Sequence, residues 1–134
     1  RFEPIHLPYE IPKILSDAGV QFCIAPKTGY PHNGNIRNLP YEAAMAVRHG
    51  LPKEEGLRAI TLSAAEILGV ADKIGSLEPG KDATFFLSNR NPLEITSSVS
   101  KAFIQGREID LGDRQKSLYE KYKEKYRQLG KLEQ

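Results

Sequence analysis

The ten residues IGSLEPGKDA, at positions 74–83, constrain this chain more than any other stretch. An apolar start and a short polar step come first. The pair Pro79-Gly80 and the charged pair Lys81-Asp82 then lead into the apolar run Ala83-Thr84-Phe85-Phe86-Leu87. Proline holds φ where the second position of a tight turn needs it, and glycine accepts the positive φ of the third position. The string therefore predicts a reversal that launches a buried strand over residues 83–87.

Other elements follow from period and punctuation. Ile11, Ile14, Leu15 and Ala18 share one face of a short helix that Gly19 ends, and the proline-broken stretch 1–10 reads as irregular. Residues 20–25, VQFCIA, have the length and composition of a buried strand. Helix, glycine, then buried strand is the tail of a βαβ unit. Residues 26–38 make the longest loop, rich in Gly, Pro and Asn, and a loop of this length inside a compact domain is often functional. Pro40 opens a small-sided helix with Glu42 in its first turn and Gly50 beyond its end. His49 reads as a cap at that helix end. A second helix opens at Pro52, and a third near Ser63, where Ser63 and Glu66 have capping-box spacing, with Gly69 as its stop. After the strand at 83–87, a polar connection spans 89–98. A strand at 100–104 then turns at Gln105-Gly106 into 107–109. A final helix over 114–129 carries Leu118, Tyr122, Tyr126 and Leu129 as a stripe, which together with Tyr119 reads as a face packed on a core rather than a base-stacking comb. Its mixed Lys and Glu faces read as solvated.

Composition narrows the function classes. The length of 134 residues fits one domain, and a net charge of +2 gives no argument for nucleic acid or a membrane surface. No apolar run approaches a bilayer span. The composition predicts a soluble chain, cytoplasmic or periplasmic, and leaves its compartment unknown. Cys23 is the one cysteine, which excludes an intrachain disulfide and a multi-thiolate zinc site. Within its apolar run it reads as a buried small hydrophobe, with a nucleophilic thiol as the other reading.

Three blocks stand in order along the chain. They are NLPYEAA with AVRHGL at 38–51, the stretch 57–70 with RAITLSAAEILGV at its core, and IGSLEPGKDA itself. Together they resemble the C-terminal part of imidazolonepropionase-like, metal-dependent amidohydrolases over roughly residues 20–109. The resemblance implies an α/β fold, the C-terminal fragment of a (β/α)8 barrel. Residues 1–73 would supply the last barrel strand and the helices after it, 74–112 the strands of a small β-sandwich, and 113–134 a C-terminal helix. It also implies metal-dependent hydrolysis of cyclic amides or related non-peptide C–N bonds, with zinc the expected metal of a complete member. No cofactor is expected in this chain by itself. A catalytically degenerate scaffold with a binding or assembly role is the alternative.

The departures from the family pattern bear on the site. The His-x-His pair, the mid-barrel lysine and the later histidine ligands of the family do not occur here. The family's last ligand, an aspartate ending the final strand, aligns with Lys27, and no Asp or Glu lies between Gly19 and Tyr41. An ammonium neither binds a divalent metal nor accepts a proton at neutral pH. Lys27 is thus an exposed loop lysine, a base with a strongly depressed pKa, or a charge standing where a metal would sit. His32, Asn33, Arg37 and Asn38 on the same loop are the candidate substrate-binding residues. Arg37 and Asn38 suit an anionic group, loop capping explains Asn38 equally well, and His32 without partner ligands reads as a backbone-bonded loop residue. A lone barrel strand has two unpaired edges. The expected partner is therefore the remainder of the barrel, a companion chain or a second copy, with no nucleic acid and no membrane.

Overall fold

A computed structural model describes residues 3–27, 29 and 32–131, with backbone alone at 32–34. The helices are α1 (Leu7–Asp17), α2 (Leu39–Arg48), α3 (Lys53–Ala59), α4 (Leu62–Ile67) and α5 (Arg114–Gln128), and a 3₁₀ helix spans His32–Asn38. The strands are β1 (Phe85–Ser88), β2 (Val99–Ile104) and β3 (Arg107–Ile109). They form one antiparallel sheet in the order β1-β2-β3.

The core lies where α2 meets α3. Ala43 and Ala46 on α2 and Gly56 and Ala59 on α3 are buried. Small side chains let two helix backbones approach closely, and here the approach is at its limit. A Cβ placed on Gly56 would stand 2.4 Å from Cγ2 of Val47 and 3.7 Å from Cδ1 of Leu93. Leu93 is itself buried and belongs to the connection between β1 and β2. The same small-residue contact therefore ties the sheet's loop to the helices.

IGSLEPGKDA packs against α4 and then turns. Gly75 has φ +99°, and a Cβ there would stand 2.8 Å from Ala65 Cβ and 3.0 Å from Leu62 Cα. Lys81 N donates to Glu78 O at 3.2 Å across Pro79-Gly80, and Gly80 has φ +94°. Proline at the second position and a positive-φ glycine at the third make this the expected tight reversal. Lys81 Nζ donates to Ser76 Oγ at 2.5 Å, and Ser76 Oγ donates to Glu78 Oε1 at 2.6 Å. The Ser76 hydroxyl and the Lys81 ammonium hold the Glu78 carboxyl below its ordinary value. Asp82 N reaches back to Lys73 O at 2.8 Å, and Gly106 N donates to Ala83 O at 2.9 Å.

The β2–β3 hairpin forms as its dipeptide predicts. Gln105 and Gly106 have φ of 50° and 78°, the paired positive values of a two-residue type I′ turn. Phe85 stands opposite Phe103, with ring centroids 4.9 Å apart. The register slips between Leu87 and Ser88, a bulge at the end of β1.

Several expectations fail, each for a physical reason. Residues 20–25 are not a strand, because none of the described residues pairs with them as one. Their burial still alternates, with Phe22 and Ile24 half-buried and Gln21, Cys23 and Ala25 exposed, and Ile24 N donates to Ala59 O at 3.0 Å. The Cys23 thiol is exposed rather than buried. Strand β1 starts at Phe85, not Ala83, and Phe86 and Leu87 on it remain uncovered. The proline-broken start is helical from Leu7, since Pro8 sits in the first turn, where its missing N–H costs nothing. The long loop ends in a 3₁₀ helix. Ser63 does not cap α4. It lies inside the helix and is buried, while Glu66 instead accepts from Arg58 Nη2 at 2.6 Å and Gln21 Nε2 at 3.2 Å. Finally, α5 packs on none of the other described elements, and its stripe is exposed.

Gly56→Ala is expected to destabilise the chain. Overpacking against the stiff, β-branched Val47 costs about 1–3 kcal/mol, against about 1 kcal/mol gained in helix propensity. A urea midpoint equal to or above that of the parent chain contradicts the close-packing account.

Glu78 gives a pH dependence whose sign is fixed. Its carboxyl is held below 4.5 in the folded chain, so its stabilisation is present above that value and is lost as pH falls through the lowered one. Glu78→Gln is expected to flatten the acid limb of a plot of urea midpoint against pH. An unchanged acid limb rules the network out as its source.

Candidate functional site

The extended segment 20–27 contributes to two hollows. Gln21, Arg58, Ser63 and Glu66 line a polar hollow of about 350 Å³, in which the Arg58–Glu66 ion pair is itself partly exposed. A groove of about 460 Å³ is lined by Tyr9 and Pro12 of α1, Ile24 of the segment, and Asn38, Tyr41, Glu42 and Met45 at the start of α2. The Tyr9 ring stacks on His49 at 5.3 Å, and His49 occupies the expected cap position of α2.

Lys27 stands exposed at the end of the segment, just before the loop. Arg37 is exposed in the last turn of the 3₁₀ helix. Asn38 is half-buried, occupies the N-cap position of α2 and lines the groove, but its side chain makes no capping hydrogen bond. His32 and Asn33 belong to the 3₁₀ helix; their side chains lie outside the described residues. Of the candidate loop residues, Asn38 joins the groove and neither Lys27 nor Arg37 lines it. Sequence reading missed Tyr9, Tyr41 and Met45 as groove residues. The signal available was only an apolar pattern, which reads equally as core.

The divalent metal that the resemblance implies meets no matching ligand set. No group of three His, Cys, Asp or Glu side chains converges among the described residues, and the segment ends on an ammonium rather than a carboxylate. The described residues therefore do not make up a set that fits the metal. None of the described helices is long and apolar enough to cross a membrane.

Comparison with known proteins agrees with the motif order. The model of the amidohydrolase family matches residues 9–109. The chain belongs to the amidohydrolase family. Within that family it is similar to imidazolonepropionases. It is 37% identical over 76 residues to the imidazolonepropionase of Geobacillus kaustophilus and 40% identical over 76 residues to that of Thermoplasma volcanium. Each alignment covers 56% of this chain and 18% of the relative. A solved amidohydrolase from Thermotoga maritima MSB8 superposes with a TM-score of 0.68 at 34% identity, over 76% of this chain and 26% of that one. The chain thus spans under a fifth of the length of these imidazolonepropionases.

Proposed function

We propose that this chain contributes the C-terminal part of an amidohydrolase that hydrolyses a non-peptide C–N bond, in a cyclic amide or a similar group. In this reading residues 1–73 are the end of the barrel, 74–112 a share of the sandwich and 113–134 a terminal helix. These residues alone are catalytically incomplete. The observation that carries the reading is the segment 20–27. From Gln21 on its side chains alternate between exposed and half-buried, as in a sheet strand, yet among the described residues its backbone joins no ladder and bonds only to helix carbonyls, Val20 N to Leu15 O and Ile24 N to Ala59 O. A strand of this kind requires neighbours on both edges. The remainder of the barrel, or a companion chain, would supply them, together with the metal ligands. Lys27, Arg37 and Asn38 then stand at the strand end and on the following loop, where barrel enzymes hold their substrates.

The test is turnover. This chain, supplied with zinc or manganese and offered cyclic amides, is expected to give no hydrolysis above the metal-only blank. Measurable turnover by the isolated chain defeats the claim of incompleteness.

Lys27 favours a second reading, a degenerate scaffold with a binding or assembly role, because it replaces a carboxylate with an ammonium. The two readings separate in a version of the protein carrying the preceding barrel sequence. If the scaffold is degenerate, the unmodified protein binds no metal and Lys27→Asp raises its metal content. Metal binding and turnover by the unmodified protein eliminate degeneracy.

A further inference from the structure

Helix α5 lies past the matched residues 9–109 and packs on none of the other described elements. It is nevertheless a well-built helix, capped by Asp113, which accepts from Lys116 N at 2.8 Å. Its side chains are sorted by kind around the axis. At 3.6 residues per turn, Leu118, Tyr119, Tyr122, Tyr126 and Leu129 fall in one sector and form a continuous seam, with Gln115 the polar residue among them. Each apolar or aromatic member is at least 39% exposed. Arg114, Lys121 and Lys125 border the seam on one side, Lys116 and Lys123 on the other. Glu120 and Glu124 lie on the opposite face, where Glu124 holds Arg127 at 2.8 Å. The side-chain contacts agree with this projection. Lys123 Nζ stands 5.7 Å from the Tyr119 centroid and Lys125 Nζ 5.9 Å from that of Tyr122, one lysine from each border.

Charge selects the occupant of the seam. Residues 114–131 hold seven basic and two acidic side chains, a net +5, while the whole chain carries +2, leaving −3 on the rest. The chain-wide charge, which gives no reason to expect a membrane, averages over this segregation. Protein–protein interfaces are depleted of lysine, whereas this seam is bordered by cations alone. A second α5 laid seam to seam would set those cations against one another. A planar anionic surface meets both borders at once, with the two acids turned away from it. Tyrosine suits the same place, because its ring is apolar while its hydroxyl stays among polar headgroups. Lysine stems likewise lie along an apolar layer while the ammonium reaches the headgroups. The helix has 15 residues, and none of the described helices is long and apolar enough to cross a membrane, so α5 would lie in the plane of the surface. A nucleic-acid strand matches the charge but not Leu118 and Leu129, which offer nothing to a phosphate or a base edge.

We propose that α5 is a surface anchor that lies in the headgroup layer of an anionic lipid bilayer. Its seam faces the acyl chains, and Arg114, Lys116, Lys121, Lys123 and Lys125 meet the lipid phosphates. A cluster of four to eight basic residues on an amphipathic helix is the composition that binds such lipids. The binding is modest and driven by charge, since tyrosine brings less apolar surface than phenylalanine or leucine. The proposal stands apart from the catalytic reading, since it concerns where the chain sits and not turnover.

Co-sedimentation with lipid vesicles tests it. The parent chain is expected to partition onto vesicles of phosphatidylglycerol and phosphatidylcholine in equal parts, to leave them as salt is raised, and not to bind pure phosphatidylcholine. Lys123→Glu with Lys125→Glu should lower the partition coefficient by about tenfold or more. Tyr122→Ser with Tyr126→Ser should lower it by about tenfold with no change in charge. Neither pair should move the urea midpoint, since α5 packs on none of the other described elements. The chain has no tryptophan, so Tyr122→Trp places a single reporter in the seam, and its emission should shift to shorter wavelength on the anionic vesicles. A parent chain that does not partition overturns the proposal. So does equal partition onto both kinds of vesicle. An unmoved emission, or binding that survives the tyrosine variant, overturns the seated seam in favour of adsorption by charge alone. A version carrying the preceding barrel sequence that no longer binds the vesicles overturns the proposal in favour of a seam covered within the protein. Seam-dependent binding of a single-stranded oligonucleotide, or a seam-dependent dimer in sedimentation velocity, with no partition, overturns it in favour of those partners.

Discussion

The contact between α2 and α3 holds most of what this chain has of a core. It rests on side chains that are nearly absent. Ala43, Ala46, Gly56 and Ala59 let the two backbones approach until no Cβ fits at Gly56. Close packing of this kind is intolerant, because displaced atoms have nowhere to go. Leu93 closes over the same point from the β1–β2 connection and so ties the sheet's loop to the helices. Gly75 repeats the arrangement one step further on, where the turn string lies against Leu62 and Ala65 of α4.

This economy leaves much apolar surface open. Phe86 and Leu87 on β1, the tyrosines of α5 and the groove residues Tyr9, Tyr41 and Met45 are all partly exposed. Exposed large apolar surface marks contact sites. The groove residues lie within the residues that match the family, in a chain that spans under a fifth of the length of its imidazolonepropionase relatives. The α5 seam needs a different account, since it lies past the matched residues.

Local chemistry was legible wherever it was self-contained. The Pro79-Gly80 reversal, the Gln105-Gly106 hairpin, the helix opened by Pro40 and the stop at Gly50 each depend on residues within a few positions. The capping box at Ser63 had the right spacing and still failed, because Glu66 found Arg58 and Gln21 across space. Cys23 was expected to be buried from its apolar neighbours, yet a segment without paired neighbours exposes alternate side chains. The candidate loop was legible as a loop. Its division was not: Asn38 lines the groove while Lys27 and Arg37 do not.

The sequence by itself determined the helices and strands after Pro40, the two tight turns and the family, because turn dipeptides, helix stops and motif order are local properties of the chain. It also showed that the segment 20–27 ends on Lys27 and that no Asp or Glu lies between Gly19 and Tyr41. Only the tertiary structure decided that the string at 74–83 packs on α4, that Leu93 joins the sheet to the helical core, and that the stripe on α5 covers nothing in its own chain. Those outcomes depend on which surfaces meet across long separations. The same period of three and four residues describes a buried helix face and an exposed one alike.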